Sequence, residues 1–176
     1  TILNLIGSWI FPKEGRFTVD NVPYQEIAED FFKNNVILVS QETELFDMSL
    51  EENITLGKPM PKEKIIEMMS ELDLNTTIER VHHNLDTRVG EKGIRLSSGE
   101  KQRINLLRAV LLDKEIYLLD EPTAHLDAHT EKKVSKFIQK YLAQKTVIIV
   151  THRPELKALC NQTYEMKDRT LLPVRP

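Results

Sequence analysis

Three short apolar runs, Val36 to Val39, Ile116 to Leu119 and Val147 to Val150, leave this chain few ways to fold. Each is continuously apolar where a half-exposed strand would alternate with polar residues, so each reads as a strand buried on both faces, the pattern of a parallel sheet covered by helices. Parallel neighbours cannot be joined by a tight turn, and the long intervals between the runs leave room for crossovers. The interval from Asp127 to Tyr141 carries Val134, Phe137, Ile138 and Tyr141 at helical spacing and suits the crossover between the last two strands. The fold class expected is α/β. Every run also ends on polar chemistry: Ser40 and Gln41 after the first, Asp120 and Glu121 after the second, Thr151 and His152 after the third. In doubly wound sheets the carboxyl ends of the strands line the ligand crevice, so three separate strands deliver candidate groups to one edge.

Between the first two strands, residues 45–112 read as a mostly helical insert. Pro61 suits a helix start, and Ile65, Met68, Met69 and Leu72 make a helical stripe expected to be core. Near the amino end, "GRFTVDNVPYQEI" reads as a short strand, a turn and a helix start, and "TYEMKDRTLLPV" as a closing hairpin around Asp168 and Arg169. A chain of 176 residues, 40% hydrophobic and 29% charged, can bury a real core. Its net charge of -3 supplies no concentrated basic face for nucleic acid or a membrane surface, and no nucleic-acid partner is expected. The lone Cys160 cannot form an internal disulfide, which favours a reducing setting. No apolar run approaches the ~20 residues of a membrane span.

Asp120 and Glu121 follow a strand directly and Pro122 stops it, so both carboxylates stand at the strand tip, where a metal and a water can meet a phosphate. Turn acids are common, and the pair alone would be unremarked. Ser97 and Glu100 have capping-box spacing ahead of a helix with Ile104, Leu107 and Leu111 on one face; with Gly99 the same helix start is also an anion site, because free amides and the helix dipole point at whatever docks there. His152 reads either as structural or as a neutral imidazole suited to a phosphate near pH 7. Gln41 reads either as a solvated amide or as a ligand group. His125 and His129 stand one helical turn apart but lack a third ligand in a suitable local pattern, so a zinc site is not expected; His82, His83 and Cys160 carry no recognisable chemistry.

The order "VSQETELFDMSLEENI", "LSSGEKQR", "IYLLDEPTAHLD" and "IIVTHR" resembles the ATP-binding cassette family of ATPases over essentially the whole chain, and "TRVGEKG" before the second motif resembles its exporter branch. The resemblance implies a P-loop NTPase-type parallel sheet formed by residues 1–44 and 113–176, with 45–112 as a helical subdomain carrying the signature motif. It implies that Asp120 holds Mg²⁺ through its water shell, that Glu121 polarises the attacking water, that Gln41 senses the metal and that water, and that His152 meets the γ-phosphate of ATP. Ser97, Ser98, Gly99 and Glu100 match the motif usually written LSGGQ, which acts on the ATP of the opposite subunit. Ser98 here stands for a glycine and Glu100 for the glutamine. Asp127 matches the loop that couples the two sites, with Ala124 and His125 departing from the usual serine and alanine.

No GxxxxGK[ST] phosphate loop occurs in these residues. On the family register "TILNLI" resembles the helix after that loop, so Thr1 would follow the Mg²⁺-binding hydroxyl residue, and the loop and its strand would lie upstream. The function implied is the ATP-hydrolysing motor of an exporter, with ATP and Mg²⁺ as cofactors. Its implied partners are a second nucleotide-binding domain arranged head to tail and a membrane-spanning domain fused upstream, and its implied place is the cytoplasmic face of the cell membrane. The alternatives are a soluble relative acting on ribosomes or nucleic acid and a non-catalytic partner subunit. Intact Asp120, Glu121 and His152 speak against the last.

Overall fold

The computed structural model describes residues 1–41, 43–90 and 93–174, the side chain of Glu29 excepted. The elements in chain order are α1 (Ile2–Ile6), β1 (Thr18–Val19), β2 (Val22–Pro23), one 3-10 turn (Tyr24–Glu26), α2 (Glu29–Asn35), β3 (Val36–Val39), β4 (Met48–Ser49), α3 (Leu50–Thr55), α4 (Lys62–Glu71), α5 (Asn75–Arg80), β5 (Arg88–Val89), α6 (Ser98–Leu112), β6 (Ile116–Asp120), α7 (Ala128–Leu142), β7 (Thr146–Val150), α8 (Pro154–Lys157), β8 (Tyr164–Lys167) and β9 (Thr170–Pro173).

The three apolar runs pair in parallel in the order β3-β6-β7, with Val39 opposite Leu119, Leu119 opposite Ile149 and Asp120 opposite Val150. Side chains alternate across a strand, and the two parities go to different layers. Val36 and Leu118 are buried with Leu3 of α1, joined by Phe32, Leu38, Ile116 and Ile148, on one face. Val39, Tyr117 and Leu119, with Ile37, Val147 and Ile149, pack on the other face into the larger core, which holds Ile104 and Leu107 of α6 and Val134, Phe137 and Ile138 of α7. Helices thus cover both faces, as continuous apolar strands require. Among the described residues, no helix is long and apolar enough to cross a membrane.

Several elements depart from the sequence expectation. β7 was expected to be buried, yet its middle is half-buried and both ends are exposed. It pairs with β6 alone among the described residues, and apolarity of a run reports the faces it covers, not how many neighbours it has. Near the amino end the turn at Asp20 and Asn21, both at positive φ (49° and 66°), returns the chain to β2, so a two-residue hairpin precedes a 3-10 turn in place of a helix start. The closing hairpin is present, with β8 and β9 joined through Asp168 and Arg169 at φ 46° and 63°. Pro61 stands at the start of α4 as its N-cap, as expected. Within 45–112 the chain also makes an antiparallel pair, β4 with β5, which the helical reading did not include. Arg88 secures that pair through Asp47 at 2.8 and 2.9 Å.

α3 and α6 both start on a capping box, Ser49 with Glu52 and Ser97 with Glu100. Such a cap contributes about 1 kcal/mol by satisfying amides that the first helical turn leaves open. Asn53 of α3 is fully buried and uses both ends of its amide on the incoming loop, accepting from the Phe46 amide and donating to the Phe46 and Ser49 carbonyls. Arg108 of α6 donates to the Asn53 carbonyl at 2.7 Å, which fastens α6 to α3.

Candidate functional site

The parallel register aligns the strand ends. Since Val39, Leu119 and Ile149 lie abreast, the residues that follow them, Gln41, Asp120 with Glu121, and His152, emerge at one edge, with the acid pair on the central strand. Glu121 adopts the left-handed backbone at φ 46°, which costs a non-glycine residue about 1 kcal/mol. Two bonds hold it there: its amide donates to the Val150 carbonyl at 2.9 Å, and its carbonyl accepts from Gln102 Nε2 of α6 at 2.7 Å. A strained backbone fixed by its surroundings is the kind of feature found at functional sites.

The Glu121 side chain is buried, 11% exposed, while His152 is 87% exposed and lies over it with Nε2 3.0 Å from Glu121 Oε1. The two atoms are at ion-pair distance, and Oε1 is a buried oxygen with no hydrogen-bond partner. Buried carboxylate oxygens are normally satisfied, and an orphan of this kind marks a place for a water, a proton or a cation. Gln41 is exposed beside the pair and Asp120 is half-buried at the strand tip. Among the described residues no three His, Cys, Asp or Glu side chains converge on a metal position. Mg²⁺ does not demand such a cage, since it keeps several waters and takes one or two carboxylates together with phosphate oxygens. A hard carboxylate at Asp120 and an amide oxygen at Gln41 therefore fit that ion.

At the head of α6, Ser97 and Ser98 are exposed and Gly99 is half-buried. A Cβ on Gly99 would stand 3.1 Å from Leu126 Cδ2, so the missing side chain lets the loop after β6 close on the helix start. Glu100 is turned inward. Its carboxylate accepts from the Thr77 hydroxyl at 2.7 Å, from the Ser97 amide at 2.8 Å and from the Arg80 guanidinium. Burial raises the Glu100 carboxyl, but the bonds from Thr77, Ser97 and Arg80 outweigh it and hold the group below its ordinary range. The acid that the resemblance places beside phosphate thus spends its charge on α5.

Asp127 caps α7: Oδ1 accepts from the amides of His129 and Thr130 at 2.9 and 3.1 Å, and Oδ2 from the Thr130 hydroxyl at 2.8 Å. The Thr130 amide bond is the main reason its carboxyl lies below the usual range. Thr1 is exposed and stands at the start of α1 without a side-chain cap bond. Cys160 is half-buried with its thiol against the Leu156 carbonyl, and burial pushes the thiol up, away from reactivity. Glu42 of the first motif and Glu91 and Lys92 of "TRVGEKG" lie outside the described residues. Sequence reading assigned no role to Gln102, Thr77 or Arg80. Gln102 alone left a signal, as a polar residue on the inward side of an otherwise apolar helix face.

A parallel sheet covered by helices, with an acid pair at the tip of its central strand, is of the α/β class, and its match to a solved ABC exporter makes it a P-loop NTPase fold. The family model described as ABC transporter matches residues 1–124, and the chain belongs to that family. Its relatives include ABC transporter B family member 21 of Arabidopsis thaliana, 37% identical over 87% of this chain and 12% of that protein. The ATP-dependent lipid A-core flippase of Desulfotalea psychrophila is 34% identical over 87% of this chain and 27% of that protein. Among solved structures, a bacterial Atm1-family ABC exporter with ATP bound superposes with a TM-score of 0.77 at 27% identity, covering 89% of this chain and 28% of that one. The chain thus spans only about an eighth to about a quarter of the length of these relatives.

Proposed function

We propose that this chain is the ATP-hydrolysing motor domain of an exporter. Residues 1–44 and 113–176 serve as its ATPase core and 45–112 as its helical subdomain. The observation that carries this reading is the buried Oε1 of Glu121, without a hydrogen-bond partner and 3.0 Å from His152 Nε2, at the tip of the central strand. Glu121 orients the attacking water and takes its proton at Oε1, and His152 turns its exposed ring toward the terminal phosphate. Asp120 and Gln41 would hold Mg²⁺, which would supply neutralising charge to the phosphates. Thr1 lies by the nucleotide at the start of α1. The α6 head, from Ser97 to Glu100, offers its amides to the ATP of a second nucleotide-binding domain packed head to tail, and Asp127 couples the two sites. A membrane-spanning domain is the partner that the motor drives, which places the chain at the cytoplasmic face of the membrane.

The 176 residues hold no GxxxxGK[ST] loop, so by themselves they are expected to bind Mg-ATP weakly and hydrolyse it negligibly. The test is therefore made in the full-length protein. Glu121→Gln should keep nucleotide binding and lose steady-state turnover by about a hundredfold or more, since the site stays polar and isosteric while its base is gone. Near-normal turnover in that variant would place the base elsewhere, with His152 the next group in reach.

A further inference from the structure

Away from the strand-end edge, two carboxylates from distant parts of the chain meet on one buried hydroxyl. Asp73 follows α4 in the left-handed region at φ 59°. Its Oδ1 lies 2.6 Å from Lys133 Nζ, and its Oδ2 lies 3.0 Å from Thr130 Oγ1. Asp127 Oδ2 lies 2.8 Å from the same Oγ1. Thr130 is 3% exposed, and a hydroxyl has one proton, so it donates to one carboxylate at a time and turns lone pairs to the other.

Two cations lie near the acids. Lys133 pairs with Asp73 directly and is the main reason the Asp73 carboxyl lies below its usual range. Arg103 of α6 sits half-buried among Asp73, Glu100 and Asp127, with its Nε free of any hydrogen-bond partner. The same corner is laid along α7 nearer its carboxyl end, where Glu71 accepts from Lys140 at 2.8 Å and from Tyr141 at 3.2 Å.

We propose that Asp73 is a positioning residue for Asp127: through the Thr130 hydroxyl it anchors the first turn of α7, with Lys133 holding its carboxylate in place, so that the attitude of the α4–α5 corner is felt at the Asp127 turn. The consequence for catalysis rests on the reading of Asp127 as the group that couples two nucleotide sites, and it gives that group an input from residues 45–112.

Hydrogen exchange on the 176-residue chain, without nucleotide, tests the link. Asp73→Gly removes the carboxylate without straining the left-handed backbone, and the amides of His129 and Thr130 should then exchange about tenfold faster while those of residues 117–119 keep their rates. Asp73→Asn keeps an acceptor for Thr130 in the same backbone and should restore part of the protection. In a Thr130→Val background Asp73→Gly should add little. Unchanged rates at His129 and Thr130 would overturn the proposal. So would equal acceleration through residues 117–119, which would make Asp73 a general stabiliser, and so would an Asn variant as fast as the Gly variant, which would put the whole effect on Lys133. The reading of Asp127 fails separately, if Asp127→Ala leaves ATP turnover in the full-length protein unchanged.

Discussion

Glu100 stands where a neutral glutamine is usual in the resembled motif, and its neighbours decide what the extra charge does. Thr77, Arg80 and the Ser97 amide converge on the carboxylate, so it holds α5 against the head of α6 and leaves the outer amides of that head unopposed. Its carboxyl is held below the ordinary value, and a depressed carboxyl adds stability that is complete above the unfolded value and is lost as pH falls through the folded one. Asp73 and Asp127 are shifted in the same direction. Urea denaturation should therefore show stability level above about pH 5 and falling below about pH 4. Glu100→Gln should lower the plateau and shallow the acid slope, leaving the part due to the two aspartates. An acid slope identical to that of the unchanged protein would show that Glu100 is not part of it.

β7 is the element most exposed to misuse. It pairs on one side only among the described residues, its residues Val147 to Val150 are β-branched and uncharged, and Val150 is 41% exposed. An open apolar edge is a template for another chain. The isolated chain should self-associate through it, and Val150→Lys, which charges the edge without touching the core, should move light scattering toward monomer. An oligomer indifferent to that change would place the contact elsewhere, the β8–β9 hairpin with exposed Tyr164, Met166 and Leu171 being the next surface. What could be read from sequence follows the same division between local and distant causes. β3, β6, β7 and α7 were legible because a run of Val and Ile, or Val134, Phe137 and Ile138 at helical spacing, carries its period within itself. β4 and β5 were not, since two residues make no period and Met48 meets Val89 only after the intervening helices have folded. The strand-end residues were legible by position, while the Gln102 bond to Glu121 and the meeting of Asp73 with Asp127 on Thr130 were not, because nothing near them in sequence specifies the contact.

At the scale of the whole molecule, one sheet supports two kinds of surface. Its carboxyl edge gathers Gln41, Asp120, Glu121 and His152, and its faces are closed by α1 on one side and by α6 and α7 on the other. On the proposed function this edge faces nucleotide. Amide NMR of the isolated chain, titrated with Mg-ATP into the millimolar range, tests it most directly. Shifts should collect at residues 40–41, 120–121 and 151–152, with Val36, Ile116 and Thr146 at the opposite ends of the same strands unmoved. Shifts that collect at those opposite ends, or along α4 and α5, while residues 120–121 and 151–152 stay still, would contradict the account.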